Sequence, residues 1–157
     1  MSSKATYQDA ELILKLYDLR REAVMRQARD FYATFSPSSY EELMAVVGAF
    51  GTKENAYVRQ VLTYWETAAS LIVHGTLNAE LANDTLGEMY FAYAKVQPFI
   101  KEMRQKMNSP EFLQNLEKIV EGTAEGRERL ARMQQRMAEF ARMQATGTAA
   151  PAKKGAA

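Results

Sequence analysis

The sequence predicts an all-α protein: a four- to five-helix bundle with an appended C-terminal amphipathic helix and a disordered tail. Three observations predict it. Period-two alternation of apolar and polar residues is missing. Apolar residues instead recur every three or four positions over long stretches. Proline, glycine and hydroxyl residues fall where helices would start and stop. The 157 residues allow one domain with an appendage, and 47% apolar residues suffice for a core.

The first helix is expected from Asp9 to Phe35, with Ile13, Tyr17, Val24, Ala28, Phe31 and Phe35 on one stripe widened by Leu12, Leu16, Leu19 and Ala23. Pro37 ends it, because proline disfavours helical geometry in the residue before it. Ser39 with Glu42 has capping-box spacing and starts a short helix that Gly51 stops. Thr52 caps a third helix that reaches about His74. Its apolar arc of Val58, Val61, Leu62, Trp65, Ala68, Ala69 and Ile72 is wide enough to touch several neighbours. Asn78 caps a short turn of helix over Ala79 to Asn83. A fourth long helix runs from Thr85 to Met107, bent at Pro98. Ser109-Pro110-Glu111 reads as the start of the next, carrying Phe112, Leu113, Leu116, Ile119 and Val120. The last helix spans Glu125 to Gln144, with Leu130, Met133, Met137 and Phe140 as a heptad-like seam. The implied organisation is a bundle domain over 1–122, a basic amphipathic helix over 123–144 and a disordered tail over 145–157.

Composition excludes much chemistry. The chain has no cysteine, which removes disulfides, thiolate zinc sites, iron–sulfur clusters and cysteine nucleophiles. Its single histidine removes sites that need two imidazoles, including the paired Glu-x-x-His di-iron bundle. The glycines of Val47-Gly48-Ala49-Phe50-Gly51-Thr52-Lys53 lack the spacing of a phosphate loop. No cofactor is expected. The N-terminus has charge without an apolar leader segment, and no apolar run nears a membrane span, so a cytoplasmic location is expected.

The formal charge of +1 conceals a split. Residues 37–121 hold seven basic and eleven acidic side chains, whereas residues 122–157 hold seven basic and three acidic. An acidic body thus carries a basic arm.

Three stretches carry a family likeness: Glu54 through Leu71, Gly87 through Lys95, and Ser109-Pro110-Glu111-Phe112-Leu113. With the charged first helix, they resemble small helical bacterial proteins, acidobacterial ones among them, described only as a domain of unknown function. The resemblance covers roughly residues 9–121 and implies a helical fold. It transfers no activity, ligand or catalytic residue, and the arm lies outside it.

His74 could act as a base with Ser70 one turn earlier, but its polar wheel position at a helix end favours a terminal role near the last carbonyls. Tyr64, Glu66 and Tyr90 form the candidate ligand-binding set, since tyrosines offer an apolar body with a polar tip. Core packing and ordinary ion pairs for Glu66 and Glu88 are the plainer reading. Phe91 falls opposite the main stripe of its helix and needs a second packing surface. In the arm, Arg127, Arg129, Arg132 and Arg136 surround the seam of Leu130, Met133, Met137 and Phe140. Docking of that seam on the acidic body or on a partner helix is preferred. Nucleic acid and membrane are disfavoured as partners, because Glu125, Glu128 and Glu139 dilute the field and no nucleic-acid motif accompanies it. The expected function is a non-enzymatic structural or interaction protein that self-associates or pairs with another helical protein. The alternatives are small-ligand binding at Tyr64, Glu66 and Tyr90, or nucleic-acid or membrane association through the arm.

Overall fold

A computed structural model describes residues 4–147, which hold helices and turns and no strand. In chain order they form α1 (Tyr7–Arg21), α2 (Ala23–Thr34), α3 (Tyr40–Val47), α4 (Lys53–Val73), α5 (Ala79–Thr85) and α6 (Glu88–Val96). A 3-10 turn (Gln97–Phe99) follows, then α7 (Ile100–Lys106), α8 (Gln114–Glu121) and α9 (Ala124–Ala145). No helix among the described residues is long and apolar enough to cross a membrane.

The helix α4 lies at the centre. Thr52 caps it as its sequence predicts, accepting from the Asn55 N–H at 3.2 Å. Helices α2, α3, α5, α6 and α8 all pack against it. Val58, Val61, Trp65, Ala68 and Ala69 are shut off from water, and Trp65 is 0% exposed. The Tyr64 ring meets Trp65 edge-on at 4.8 Å. The Trp65 indole nitrogen has no hydrogen-bond partner among the described residues; packing holds the ring, with the Arg20 guanidinium 5.7 Å from its centre.

Four local expectations are corrected. The single helix over Asp9–Phe35 is broken at Glu22, whose backbone is extended (φ −56°, ψ 142°) and whose carboxylate accepts from the Met25 N–H at 2.9 Å. The break has a packing reason. Leu16 and Met25 are both buried, yet residues nine apart on a straight helix point about 180° from each other. Turning the chain at Glu22 brings both inward. It also leaves Tyr17, Leu19 and Val24, expected on the inner stripe, facing water. Next, α3 stops at Gly48 rather than Gly51, because the buried Asn55 amide donates to the Val46 and Val47 carbonyls, the latter at 2.7 Å. Gly51 instead makes the left-handed turn (φ 89°) into α4. The long helix expected over Thr85–Met107 begins only at Glu88, and Pro98 tightens its middle into the 3-10 turn, the local answer to a missing N–H donor. Finally, Ser109-Pro110-Glu111 forms a turn. Helix α8 begins only after Leu113, which takes a left-handed conformation (φ 54°); the cause is Glu66, described below.

The helix α9 packs along α6 and α8. Its start needs Gly126, where a Cβ would sit 2.5 Å from the Val120 carbonyl oxygen. Thr146 closes it, and Gly147 turns left-handed (φ 69°). The rest of the expected tail, residues 148–157 with Lys153 and Lys154, lies outside the described residues.

Replacing Trp65 by alanine should cost on the order of 3–5 kcal/mol, the range for removing a fully buried large aromatic. Trp65→Phe should cost less, because no indole hydrogen bond is lost. Urea denaturation of both variants checks this, and a loss under ~1 kcal/mol for Trp65→Ala overturns the central placement of α4.

Candidate functional site

Tyr64, Glu66 and Tyr90 each engage a different neighbour. The half-buried Tyr64 hydroxyl donates to the Leu16 carbonyl of α1. Burial pushes this phenol up to about 12, so it remains a donor at neutral pH. Tyr64 borders a shallow cleft with Leu16, Leu19 and Met25. Tyr90 lines a separate cavity between α5, α6, α8 and α9. The expectation of one site built from the three residues therefore has no common cavity behind it.

Glu66 is a helix cap acting across the fold. One carboxylate oxygen accepts from the Asn115 backbone N–H at 3.0 Å and from its side-chain amide at 2.8 Å. The other accepts from the Leu116 N–H at 2.9 Å. These are free donors of the first turn of α8, where negative charge is favoured. That explains why α8 starts there and not at Ser109. Glu88 instead makes the ion pair expected of it, with two arginines. Arg29 grips it with two hydrogen bonds of 2.7 Å, and Arg20 approaches to 3.6 Å.

Two buried charged groups were not singled out from sequence. The Asp9 carboxylate accepts from Thr6 and from the Asn78 N–H, each at 2.7 Å, tying the start of α1 to the cap of α5. These hydrogen bonds hold it below its usual carboxylate range. Lys95 is 6% exposed and forms no ion pair among the described residues. Its ammonium donates to the carbonyls of Ala33 at 3.0 Å and Phe35 at 2.6 Å and to the Ser36 hydroxyl at 3.2 Å. It thereby closes the C-terminal end of α2, where positive charge is favoured. It also lies 4.8 Å from the centre of the Phe91 ring, the half-buried aromatic that needed a second surface. His74 ends α4 with an exposed side chain, its backbone N–H on the Ser70 carbonyl at 3.0 Å. Among the described residues, no three histidine or acidic side chains gather as a metal site requires.

The arm divides into a docked and an exposed part. Leu130 is buried at 5% exposure, Met133 and Met137 are half-buried against the core, and Phe140 is 60% exposed. Arg129 is turned inward. Its guanidinium lies 4.4 Å from the centre of the Tyr90 ring and donates to the Asn83 carbonyl at 2.9 Å and side-chain oxygen at 2.8 Å. Gly87 leaves room for it, since a Cβ there would lie 2.7 Å from the guanidinium. Arg127 donates to the Glu121 carbonyl at 2.6 Å. Among the described residues, Arg132 makes only an exposed contact of 3.9 Å with Glu128 in its own helix, and Arg136 is exposed without an ion pair.

The cavity at Tyr90 has a volume of about 540 Å³. Ile72, Met89, Tyr90 and Ile119 give it an apolar floor, and Glu80, Asp84, Glu125 and Lys118 a charged rim. It can hold a small amphipathic molecule.

Lys95 gives a pH dependence. Burial pulls its amine down to about 8, against ~10.4 in an unfolded chain. Between those values the unfolded chain holds a proton that the folded chain has released, so native stability rises with pH across the window. Urea denaturation of the native chain and of Lys95→Met, at about pH 7.5 and about pH 9.5, isolates the effect. The difference should shift in favour of the native chain at the higher pH; an unchanged difference contradicts the assignment.

No curated protein and no solved structure matches the chain. A family model described as Domain of unknown function (DUF4760) matches residues 5–123, which run from just before α1 to the cap of α9. The chain therefore belongs to the DUF4760 family, with α9 following the matched region.

Proposed function

We propose that this protein is a non-enzymatic structural or interaction protein that self-associates through helix faces, its matched region forming a helical bundle. The observation that carries the reading is the outer face of α1. Tyr7, Leu14 and Tyr17 are 91%, 63% and 48% exposed there, on an ordered helix whose inner face is already packed. A contiguous apolar stripe on the water side of a helix is the mark of an interaction surface. A second copy or another helical protein fits it. Nucleic acid and membrane fit less well, because Arg127 and Arg129 are spent on the chain's own carbonyls. A bacterial cytoplasm belongs to the same proposal, and the cysteine-free composition is compatible with it. Sedimentation velocity of the full chain at micromolar concentration tests the reading. The expected result is species heavier than 17.7 kDa that grow with concentration, and a strict monomer refutes it.

A second reading is favoured by the cavity at Tyr90: binding of a small amphipathic ligand, with the apolar part on Met89 and Ile119 and a charged end at the rim. Thermal shift against a metabolite library should show a ligand that raises the melting temperature, an effect weakened in Tyr90→Ala. No shift with any compound ends this reading.

A further inference from the structure

Lysine is seldom buried without a carboxylate beside it. Lys95 is buried, and no carboxylate pairs with it among the described residues. Its nitrogen stands 4.8 Å from the centre of the Phe91 ring and 5.7 Å from that of Tyr32. The Tyr32 hydroxyl donates to the Ala92 carbonyl, and burial raises its pKa, so that phenol stays neutral. The contacts of the nitrogen, three oxygens and two rings, are thus all neutral. Such surroundings disfavour the charged form, which is why the amine falls to about 8. At about pH 7.5 about a quarter of such an amine is neutral, against about one part in a thousand for an ordinary lysine.

Capping α2 uses two of the three N–H groups. The Ala33 and Phe35 carbonyls can only accept, so each needs a donor. The third neighbour, the Ser36 hydroxyl at 3.2 Å, can donate as well as accept. The neutral amine therefore keeps both capping bonds and turns its lone pair toward Ser36. Lys95 and Ser36 line one open cavity of about 310 Å³, with Pro37, Pro98, Phe99 and Met137 as apolar walls. Ser36 and Pro98 are exposed, so the cavity meets water on their side. Turning the Ser36 side chain about χ1 uncovers the lone pair to the cavity. Capping accounts for the presence of Lys95, and the cavity gives its amine a second use.

We propose that this cavity takes a small apolar aldehyde and that Lys95 captures it as an imine. The proposal is independent of self-association and of the cavity at Tyr90. The lone pair of Nζ adds to the carbonyl carbon while the carbonyl π pair moves to oxygen. Nitrogen gives up a proton and the oxygen takes one, which yields a carbinolamine. A further proton on its hydroxyl lets the C–O bond break and water leave, and the nitrogen lone pair forms the C=N bond. Amine, aldehyde and one proton thus become a protonated imine and water. The imine nitrogen keeps one N–H for the Phe35 carbonyl, and the carbonyl of exposed Ala33 turns to water. The walls select for a short hydrocarbon chain. An anionic oxo acid fits less well, because the Glu42 carboxylate holds Ser38, another wall, by its N–H and hydroxyl at 2.8 Å each.

The test needs no variant. The full chain at about pH 7.5 is treated with butanal, and separately with glyoxylate, each with cyanoborohydride, which reduces a protonated imine to a stable amine. Peptide mapping by mass spectrometry gives the labelling rate of every lysine. Exposed Lys101 and Lys118 serve as references. Butanal should label Lys95 at least about tenfold faster than either, because a neutral fraction over about a hundredfold larger outweighs the lower nucleophilicity of a weaker base. The advantage should vanish in guanidinium chloride, where the chain unfolds, and should be smaller with glyoxylate. Labelling of Lys95 no faster than Lys101 and Lys118 overturns the proposal. An advantage that survives unfolding overturns it as well, since the fold is then not its source. An equal advantage with glyoxylate also overturns it, because the cavity then selects nothing.

Discussion

The constraint on which the rest of this structure depends is the burial of α4. Its sequence leaves only a narrow polar strip, with Arg59, Thr63 and Thr67, for water. Every other side of the helix must be covered. Trp65 sets the distance at which neighbours can stand, and the alanines at 68 and 69 let them come closer one turn later. Helix α2 covers one side and α8 another, and both are too short to be stable alone. They exist as helices because α4 offers an apolar surface to each. The break at Glu22 follows from the same demand: a straight helix could not present both Leu16 and Met25 to that surface.

Burial on all sides creates a second problem, which polar side chains solve. Short helices have many unpaired backbone groups at their ends, and in a packed interior water cannot satisfy them. Here side chains from other elements do so. Glu66 of α4 takes the first N–H groups of α8. Asn55 of α4 takes the last carbonyls of α3. Lys95 of α6 takes the carbonyls at the end of α2. Asp9 of α1 takes an N–H at the cap of α5. These residues look like candidate chemistry in a sequence, being acids, amides and amines on apolar helices. Each one is committed to a helix end, which is a sufficient reason for its presence.

The same distinction decides what could be read from the sequence. Caps that act within a few residues were legible. Thr52 and Asn78 start their helices where spacing places them, and Ser39 does so by accepting from the Glu42 N–H. Glu42 itself turns to Ser38 rather than closing the reciprocal box. Caps that act across the fold were not legible. Ser109-Pro110-Glu111 has strong local start chemistry, yet α8 begins later because Glu66, 49 residues upstream of Asn115, holds the N–H groups there. Glu22 gave no signal either, since glutamate inside an otherwise periodic helix is ordinary. The candidate ligand set is dispersed for a related reason. Residue type placed Tyr64, Glu66 and Tyr90 in one class, but partners 48, 49 and 7 residues away draw them to different neighbours. The exposed apolar residues of α1 were not legible, because an apolar stripe is by default assigned to the core and Tyr17 is absorbed into it.

The split between an acidic body and a basic arm takes on a different meaning once α9 is located. Its first half is an internal element. Gly126 allows close approach to α8, Leu130 fills a buried position, and Arg129 is fixed between Tyr90 and Asn83. Charge there is used at short range, by hydrogen bonding and stacking, and is unavailable to a partner. Its second half continues the seam to Phe140 but has outrun the body. One continuous helix is thus anchored at its start and presented at its end. Anchoring lowers the entropy that a partner must overcome in ordering the presented end. A free basic tail of equal charge would attract acidic surfaces without selecting one. A rigid extension with Phe140 at a fixed position selects an apolar surface shaped to meet it.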